Sequence, residues 1–332
     1  LTAQIRDADV GAFLPGSGLE SRLAGTVEVT GRALTSASPV LDVGLALAPS
    51  RFGDQSISGG RLQLTVDPAE ATFDGLLGLG SGSVRASGRA ALDGSERFAV
   101  TQAQVGALDA AALLGDTTAS EVNGSLELEG QGFTPETMRL DGRLSLQDSY
   151  YGPYQLSAFE GTAALQEGRL ETDVETTLNG GAWQLTATAR PFAPMPSAEV
   201  TEGRFRDVDI GPFLQDTTQS STLSGSLQAS ATGFSPDTLS ATLRIALDRS
   251  RINRQRLDGG TVEAQFAGAR AEGAVALSLP EDGSLQLRAQ ARPYAATPAF
   301  AVTEGAFKRL DVFALAGLSG RTALSGTFQL EG

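Results

Sequence analysis

The chain has 332 residues, 41 % of them hydrophobic, and its 39 acidic and 25 basic side chains leave a net charge of −14. It has no Cys and no His, which removes disulfides, thiolate and imidazole metal sites, Cys nucleophiles and Ser-His-Asp chemistry. The acidic balance argues against a nucleic-acid partner, because phosphate contacts need clustered Lys or Arg. No stretch approaches the roughly 20 apolar residues of a membrane helix, so any anchor or targeting segment is expected outside this chain, which opens at Leu1.

Four runs mark out a repeat along the chain. Each begins at an aspartate: Asp9-Val10-Gly11-Ala12-Phe13-Leu14, Asp109-Ala110-Ala111-Ala112-Leu113-Leu114, Asp209-Ile210-Gly211-Pro212-Phe213-Leu214 and Asp311-Val312-Phe313-Ala314-Leu315, at spacings of 100, 100 and 102. About fifteen residues after each comes a second anchor: Leu23-Ala24-Gly25, Val122-Asn123-Gly124, Leu223-Ser224-Gly225 and Leu324-Ser325-Gly326. Gly132-Phe133-Thr134-Pro135-Glu136-Thr137 returns as Gly233-Phe234-Ser235-Pro236-Asp237-Thr238, and Ala189-Arg190-Pro191-Phe192 as Ala291-Arg292-Pro293-Tyr294. Val200-Thr201-Glu202-Gly203 returns as Val302-Thr303-Glu304-Gly305. Internal periodicity of this kind marks a repeat architecture. It gives unit 1 over 1–97, unit 2 over 98–197, unit 3 over 198–299 and the start of a fourth over 300–332.

Within a unit the dominant period is two, as in Gly124-Ser125-Leu126-Glu127-Leu128-Glu129, Trp183-Gln184-Leu185-Thr186 and Ser284-Leu285-Gln286-Leu287. That alternation predicts strands with one apolar and one polar face. Asp141-Gly142, Asn179-Gly180-Gly181 and Asp258-Gly259-Gly260 are turn signals between strands. Six to eight strands per unit follow, antiparallel because the connections are too short for crossovers. Two kinds of short helical turn interrupt them. Thr134-Pro135-Glu136 and Ser235-Pro236-Asp237 place a hydroxyl cap before Pro. In the Asp-initiated runs Asp caps a single turn whose two apolar residues are expected to pack back.

The apolar strand face is Leu-rich: Leu126, Leu128, Leu144, Leu146, Trp183, Leu185, Leu227, Leu243, Ile245, Leu247, Leu285 and Leu287 are its candidate lining. Such a face must be covered, and three arrangements do so. A string of β-sandwiches, serving as an adhesin or stalk, fits the unit length, although no Pro- or Ser-rich linker separates the units. A closed β-helix with a sugar-active cleft needs paired carboxylates at a set separation. Asp7 with Asp9 and Asp207 with Asp209 form such pairs, but the corresponding residues of unit 2 are Ala107 and Asp109. The third arrangement is one sheet curled into a groove on the order of 100 Å long, from twenty-odd strands about 4.8 Å apart. It would sheathe acyl chains at about 0.8 kcal/mol per buried methylene. Periodicity alone does not separate an open groove from a closed core.

The run from Leu223-Ser224-Gly225-Ser226-Leu227 through Gly233-Phe234-Ser235-Pro236-Asp237-Thr238 to Asp248-Arg249-Ser250, with its counterpart from Gly124 to Ser149, resembles the AsmA-like superfamily and its TamB-type translocation and assembly branch. Unit 1 departs from the pattern at Gly31-Arg32-Ala33-Leu34-Thr35-Ser36-Ala37-Ser38, which lacks the Phe and the Pro-acid pair. The resemblance implies an all-β, elongated repeat protein, its mostly antiparallel sheet curled into a hydrophobic groove (a β-taco). It implies a periplasmic location with an inner-membrane anchor in a segment absent from this chain. Phospholipid acyl chains are the implied cargo, and an outer-membrane assembly protein, reached through a further terminal domain, is an implied partner. No catalytic residue, metal or cofactor is expected, and no enzyme activity.

Overall fold

The computed structural model describes residues 1–9, 21–32, 40–52, 55–214, 218–235, 238–293 and 299–332. Among the described residues, strand accounts for 73 % and helix for 3 %. The fold is an all-β curled antiparallel sheet, and the chain divides into two compact units, Leu1–Glu167 and Gly168–Gly332.

The first compact unit contains β1 (Thr2–Ala8), β2 (Ser21–Arg32), β3 (Val40–Leu47), β4 (Ser50–Phe52), β5 (Gln55–Val66), β6 (Glu70–Leu79), β7 (Gly82–Ala91), β8 (Arg97–Leu108), helix α1 (Ala110–Leu113), β9 (Ser120–Gln131), β10 (Arg139–Tyr151) and β11 (Tyr154–Gln166). Long strands pair with their neighbours in chain order, and the short β4 pairs with the start of β2 and with β5. The second contains β12 (Arg169–Leu178), β13 (Gly181–Arg190), β14 (Ser197–Val208), a 3₁₀ turn (Pro212–Leu214), β15 (Ser221–Thr232), β16 (Ser240–Leu247), β17 (Ser250–Ile252), β18 (Gln255–Leu257), β19 (Gly259–Ala267), β20 (Arg270–Leu279), β21 (Gly283–Arg292), β22 (Ala299–Leu310), α2 (Val312–Leu315) and β23 (Leu324–Glu331). Its order is β12-β13-β14-β15-β16-β19-β20-β21-β22-β23, and the β17–β18 hairpin extends β15 at one end.

Antiparallel ladders, each carrying one bulge, cross the sequence-repeat boundaries that lie inside a unit: β7 with β8, β13 with β14, and β21 with β22. Successive repeats therefore share one hydrogen-bonded sheet within each unit, where a string of sandwiches would interrupt it.

The repeat anchors turn out to be devices that bend strands. Between Val100 and Ala103, Val200 and Gly203, and Val302 and Gly305, the ladder to the next strand slips by one residue. The extra residue makes a β-bulge, which bends the strand and increases its twist. A threonine secures each bulge: Thr101, Thr201 and Thr303 hydroxyls donate to the carbonyls of Ser87 (3.2 Å), Thr186 (3.1 Å) and Arg288 (3.3 Å). A second slip follows in the same strands, at Ala107 (φ 48°), Asp207 (φ 56°) and Arg309 (φ 52°). Their backbone N–H groups are accepted by Asn123 (2.7 Å), Ser224 (3.1 Å) and Ser325 (3.1 Å), the middle residues of the second anchor. The glycine that follows is required by close approach: a Cβ on Gly225 would strike the Ala246 carbonyl oxygen, and one on Gly124 that of Ser145.

Past these kinks the strand ends carry most of the buried side chains. In the second unit Leu257, Leu279 and Leu310 form a small core with Leu223, Leu247, Ile252, Leu277 and Phe307. The serine opening each terminal hairpin ties it down: Ser50, Ser149 and Ser250 hydroxyls accept from the N–H groups of Ala24 (2.9 Å), Asn123 (2.9 Å) and Ser224 (3.1 Å).

Candidate functional site

Residues directly opposed in an antiparallel ladder share a face, so the registers assign every candidate. In the first unit one row runs Ala3–Val27–Leu45–Leu62–Gly75–Ala86–Ala103–Leu126–Leu144–Gly161 across ten strands. Its neighbour runs Leu47–Gly60–Leu77–Val84–Val105–Gly124–Leu146–Phe159, and Leu128 lies in a third with Val100, Gly142 and Ala163. In the second unit Leu185, Leu227, Ile245 and Leu287 lie in a single row, Leu185–Gly203–Leu227–Ile245–Val262–Val275–Leu287–Gly305–Phe328. Trp183, Leu247 and Leu285 share the next, and Leu243 the one on the other side. All twelve residues lie on the apolar face of their unit. At about 4.8 Å per strand, the ten-strand row is about 43 Å long.

This face is not sealed. Leu126 is 37 % and Leu144 36 % exposed, and the other ten are half-buried. No side chain among the described residues is both large and fully buried. The chain exposes 20349 Å², whereas two separate compact globules of half its mass would together expose only about 15,500 Å². The single tryptophan sits on this face with Phe205 beside it, ring centroids 5.4 Å apart, and its Nε1 is buried without a hydrogen-bond partner.

Sequence reasoning missed the first repeat's share of the face: Leu45, Leu62 and Leu77. The signal was the repeat offset, since Leu45, Leu144 and Ile245 are equivalent positions. It also missed Phe73, Phe159, Phe205 and Phe307, whose place on this face is given by the strand registers.

The opposite face is polar and its charges are paired across strands, as in Arg85–Asp74 (3.5 Å), Arg244–Glu263 (3.4 Å) and Arg288–Glu304 (3.6 Å). A concavity of about 900 Å³ on that face of the second unit is lined by Gln228, Thr242, Arg244, Glu263, Glu272 and Arg288 among others. Exposed pairs of this kind contribute little to stability.

The Asp-initiated runs cap short turns as expected. The Asp109 carboxylate accepts from the Ala112 N–H (3.1 Å) and the Ser120 hydroxyl (2.8 Å), which in turn accepts from the Ala111 N–H (2.8 Å). Asp311 does the same with Ala314 (3.0 Å) and Thr322 (3.2 Å). These bonds, the backbone ones first, hold both carboxyls below the usual aspartate range. Asp209 accepts from Gly211 and Ser221. The turn at Val10–Leu14 lies outside the described residues.

Two expectations need correction. The apolar residues of the caps are covered only in part: Leu113, Leu114, Phe213 and Phe313 are 39–77 % exposed, Leu315 is half-buried, and the fully buried residue is Ala111. A turn of three or four residues is too short to direct both its cap and two large side chains into one sheet end. The Thr134–Thr137 segment makes a single turn with the helical hydrogen bond, Met138 N–H to the Thr134 carbonyl at 2.8 Å, but its hydroxyl does not cap as expected. Its Thr134 hydroxyl meets the Thr137 hydroxyl (3.0 Å) in place of a backbone N–H. Ser235 and Thr238 repeat the arrangement (2.7 Å), with Pro236 and Asp237 outside the described residues.

Among the described residues no three His, Cys, Asp or Glu side chains converge on a metal-sized site, and no helix is long and apolar enough to cross a membrane. No protein-family model matches the chain, and no curated protein or solved structure matches it.

Proposed function

We propose that the apolar face of each unit holds acyl chains, and that the chain is a segment of a non-enzymatic lipid conduit. One observation carries this reading: registered apolar rows, Leu and Val with Ala and Gly through ten strands of the first unit and Leu, Ile, Val and Phe with Gly through nine of the second, keep most of their large side chains half-buried or exposed. An acyl chain laid along such a row removes apolar surface from water at about 0.8 kcal/mol per methylene. The resemblance to AsmA-like proteins supplies a setting: a periplasmic bridge between inner and outer membranes, carrying phospholipid and supporting outer-membrane assembly. The tandem-sandwich alternative is disfavoured by the ladders that join successive repeats.

Trp183 provides the test. It is the only tryptophan, so its emission reports this face alone. Phospholipid brominated in its acyl chains should quench it, and substitution of the half-buried Leu243 on the same face by Arg should abolish the quenching. Native mass spectrometry should find phospholipid on the purified protein. Absence of both quenching and bound lipid would defeat the proposal.

A further inference from the structure

The β17–β18 hairpin carries Arg249, Arg251, Arg254 and Arg256 within eight residues of a chain whose net charge is −14. The fold uses only one of their side chains, that of Arg254. Of the two equivalent hairpins, the one between Ser149 and Leu156 has Tyr150, Pro153 and Gln155 where this one has Arg251, Arg254 and Arg256, and contains no arginine, while the one opened by Ser50 keeps a single arginine, Arg51, in the place of Arg251. Apart from Arg254, the residues that anchor the hairpin are the others. Ser250 ties it to Ser224, Asn253 is bonded to Ser220 (2.9 Å) and Leu315 (2.7 Å), and Leu257 is in the small core.

All four arginines are exposed. Arg251 and Arg256 face each other directly in the ladder, a like-charge pairing that destabilises a sheet. Among the described residues none of the four has a carboxylate partner. Opposed side chains leave their Cβ atoms about 5 Å apart, close enough for both guanidinium forks to reach one phosphate. The hairpin is also fastened to α2: the Arg254 N–H donates to the Ala314 carbonyl (3.0 Å), and its guanidinium to that of Leu318 (3.0 Å). That segment leaves Phe313 41 % and Leu318 56 % exposed. Unpaired guanidiniums and exposed apolar side chains thus share one edge of the second unit.

We propose that this edge docks on an anionic phospholipid bilayer, the arginines on headgroup phosphates and Phe313 and Leu318 at the boundary with the acyl region. The acidic remainder of the chain does not prevent this. At physiological ionic strength charges beyond about 8 Å are largely screened, and the acids flanking the hairpin are Asp248 and Asp258. Docking is independent of acyl-chain binding to the apolar face, so the two can fail separately.

The test is sedimentation of the full chain with vesicles of phosphatidylglycerol and phosphatidylcholine, against vesicles of phosphatidylcholine alone. Binding is expected to the anionic vesicles only, and to fall in high salt. The double variant Arg251→Tyr/Arg256→Gln installs the residues of the arginine-free hairpin. It should weaken binding about 25-fold, at roughly fivefold per arginine, and leave Trp183 quenching by brominated lipid unchanged. Phe313→Ser should weaken it as well. Equal binding to both vesicle types, undiminished binding by the double variant, or full displacement by millimolar inorganic phosphate would overturn the proposal. Should the variant misfold, the salt and vesicle comparisons on the wild-type chain still decide.

Discussion

Alanine in place of Leu257 and of Leu243, one at a time, separates a sealed position from an open one within the same compact unit. Leu257 is 2 % exposed and packs with Leu279 and Leu310. Its truncation leaves a cavity, and a loss of about 2–5 kcal/mol is expected. Leu243 is half-buried, with Ala229 and Ala264 as its opposed neighbours. Full burial of a leucine is worth about 1.5–3 kcal/mol, so about 1 kcal/mol should be lost there. Urea unfolding followed by Trp183 emission and far-ultraviolet circular dichroism gives both values, and an unchanged slope would assign the differences to native-state stability. The arginine series sharpens the contrast. Leu243→Arg should fold, its stem lying along the face with the charge in water, while losing acyl-chain binding. Leu257→Arg buries an unpaired charge and should not fold. If Leu243→Ala costs as much as Leu257→Ala, or Leu243→Arg unfolds the protein, the apolar face is a closed core and the conduit reading fails.

Glycine substitutions test the bending devices. Gly225→Ala drives a Cβ into the Ala246 carbonyl and should cost about 1–3 kcal/mol, whereas Gly44→Ala, with nothing within 4 Å, should be neutral or stabilising by about 0.4–1 kcal/mol; thermal melts of both variants measure the difference. The caps set an acid limb. Asp109 and Asp311 have carboxyls depressed in the fold, below the roughly 3.9 of an unfolded aspartate. Their contribution is therefore complete above that value and lost as pH falls through the folded value. Urea midpoints should stay level in this respect from pH 8 to 5 and decline below about pH 4, and Asp109→Asn should flatten that decline; identical acid limbs in variant and wild type would refute the assignment.

The strands were legible because a two-residue period over four to six residues has few other structural meanings, and Leu126–Leu128 and Leu285–Leu287 declared their face outright. Asp109 was legible as a cap because a carboxylate followed by a run of alanines leaves free N–H groups to satisfy. The exposure of Leu113 and Leu114 was not, since local sequence carries no information on how far a sheet end extends beneath a cap. The meaning of Val200-Thr201-Glu202-Gly203 was hidden for a different reason. Its repetition was visible, but a bulge is defined by the partner strand's register, which lies some twenty residues away. The arginine hairpin was not legible, because a net charge of −14 averages over the whole chain and hides four arginines within eight residues.

The bulges explain why the apolar face survives curvature. One inserted residue shifts all later side chains to the opposite face of a regular strand. In β14 the inward positions are Val200, Gly203, Phe205 and Val208, and the residues between are Thr201-Glu202, Arg204 and Arg206-Asp207. Two consecutive polar residues stand at each slip, so the change of register is cancelled and the apolar residues stay on one side. β22 repeats the scheme with Thr303-Glu304 and Lys308-Arg309. Regular pairing would have turned Phe205 outward and Arg204 and Arg206 onto the leucine rows. The hundred-residue period is thus the spacing of strands that bend twice without changing faces. Bending at those strands is what leaves buried side chains concentrated at the kinked ends and the long rows between them half-covered, free to take an apolar guest.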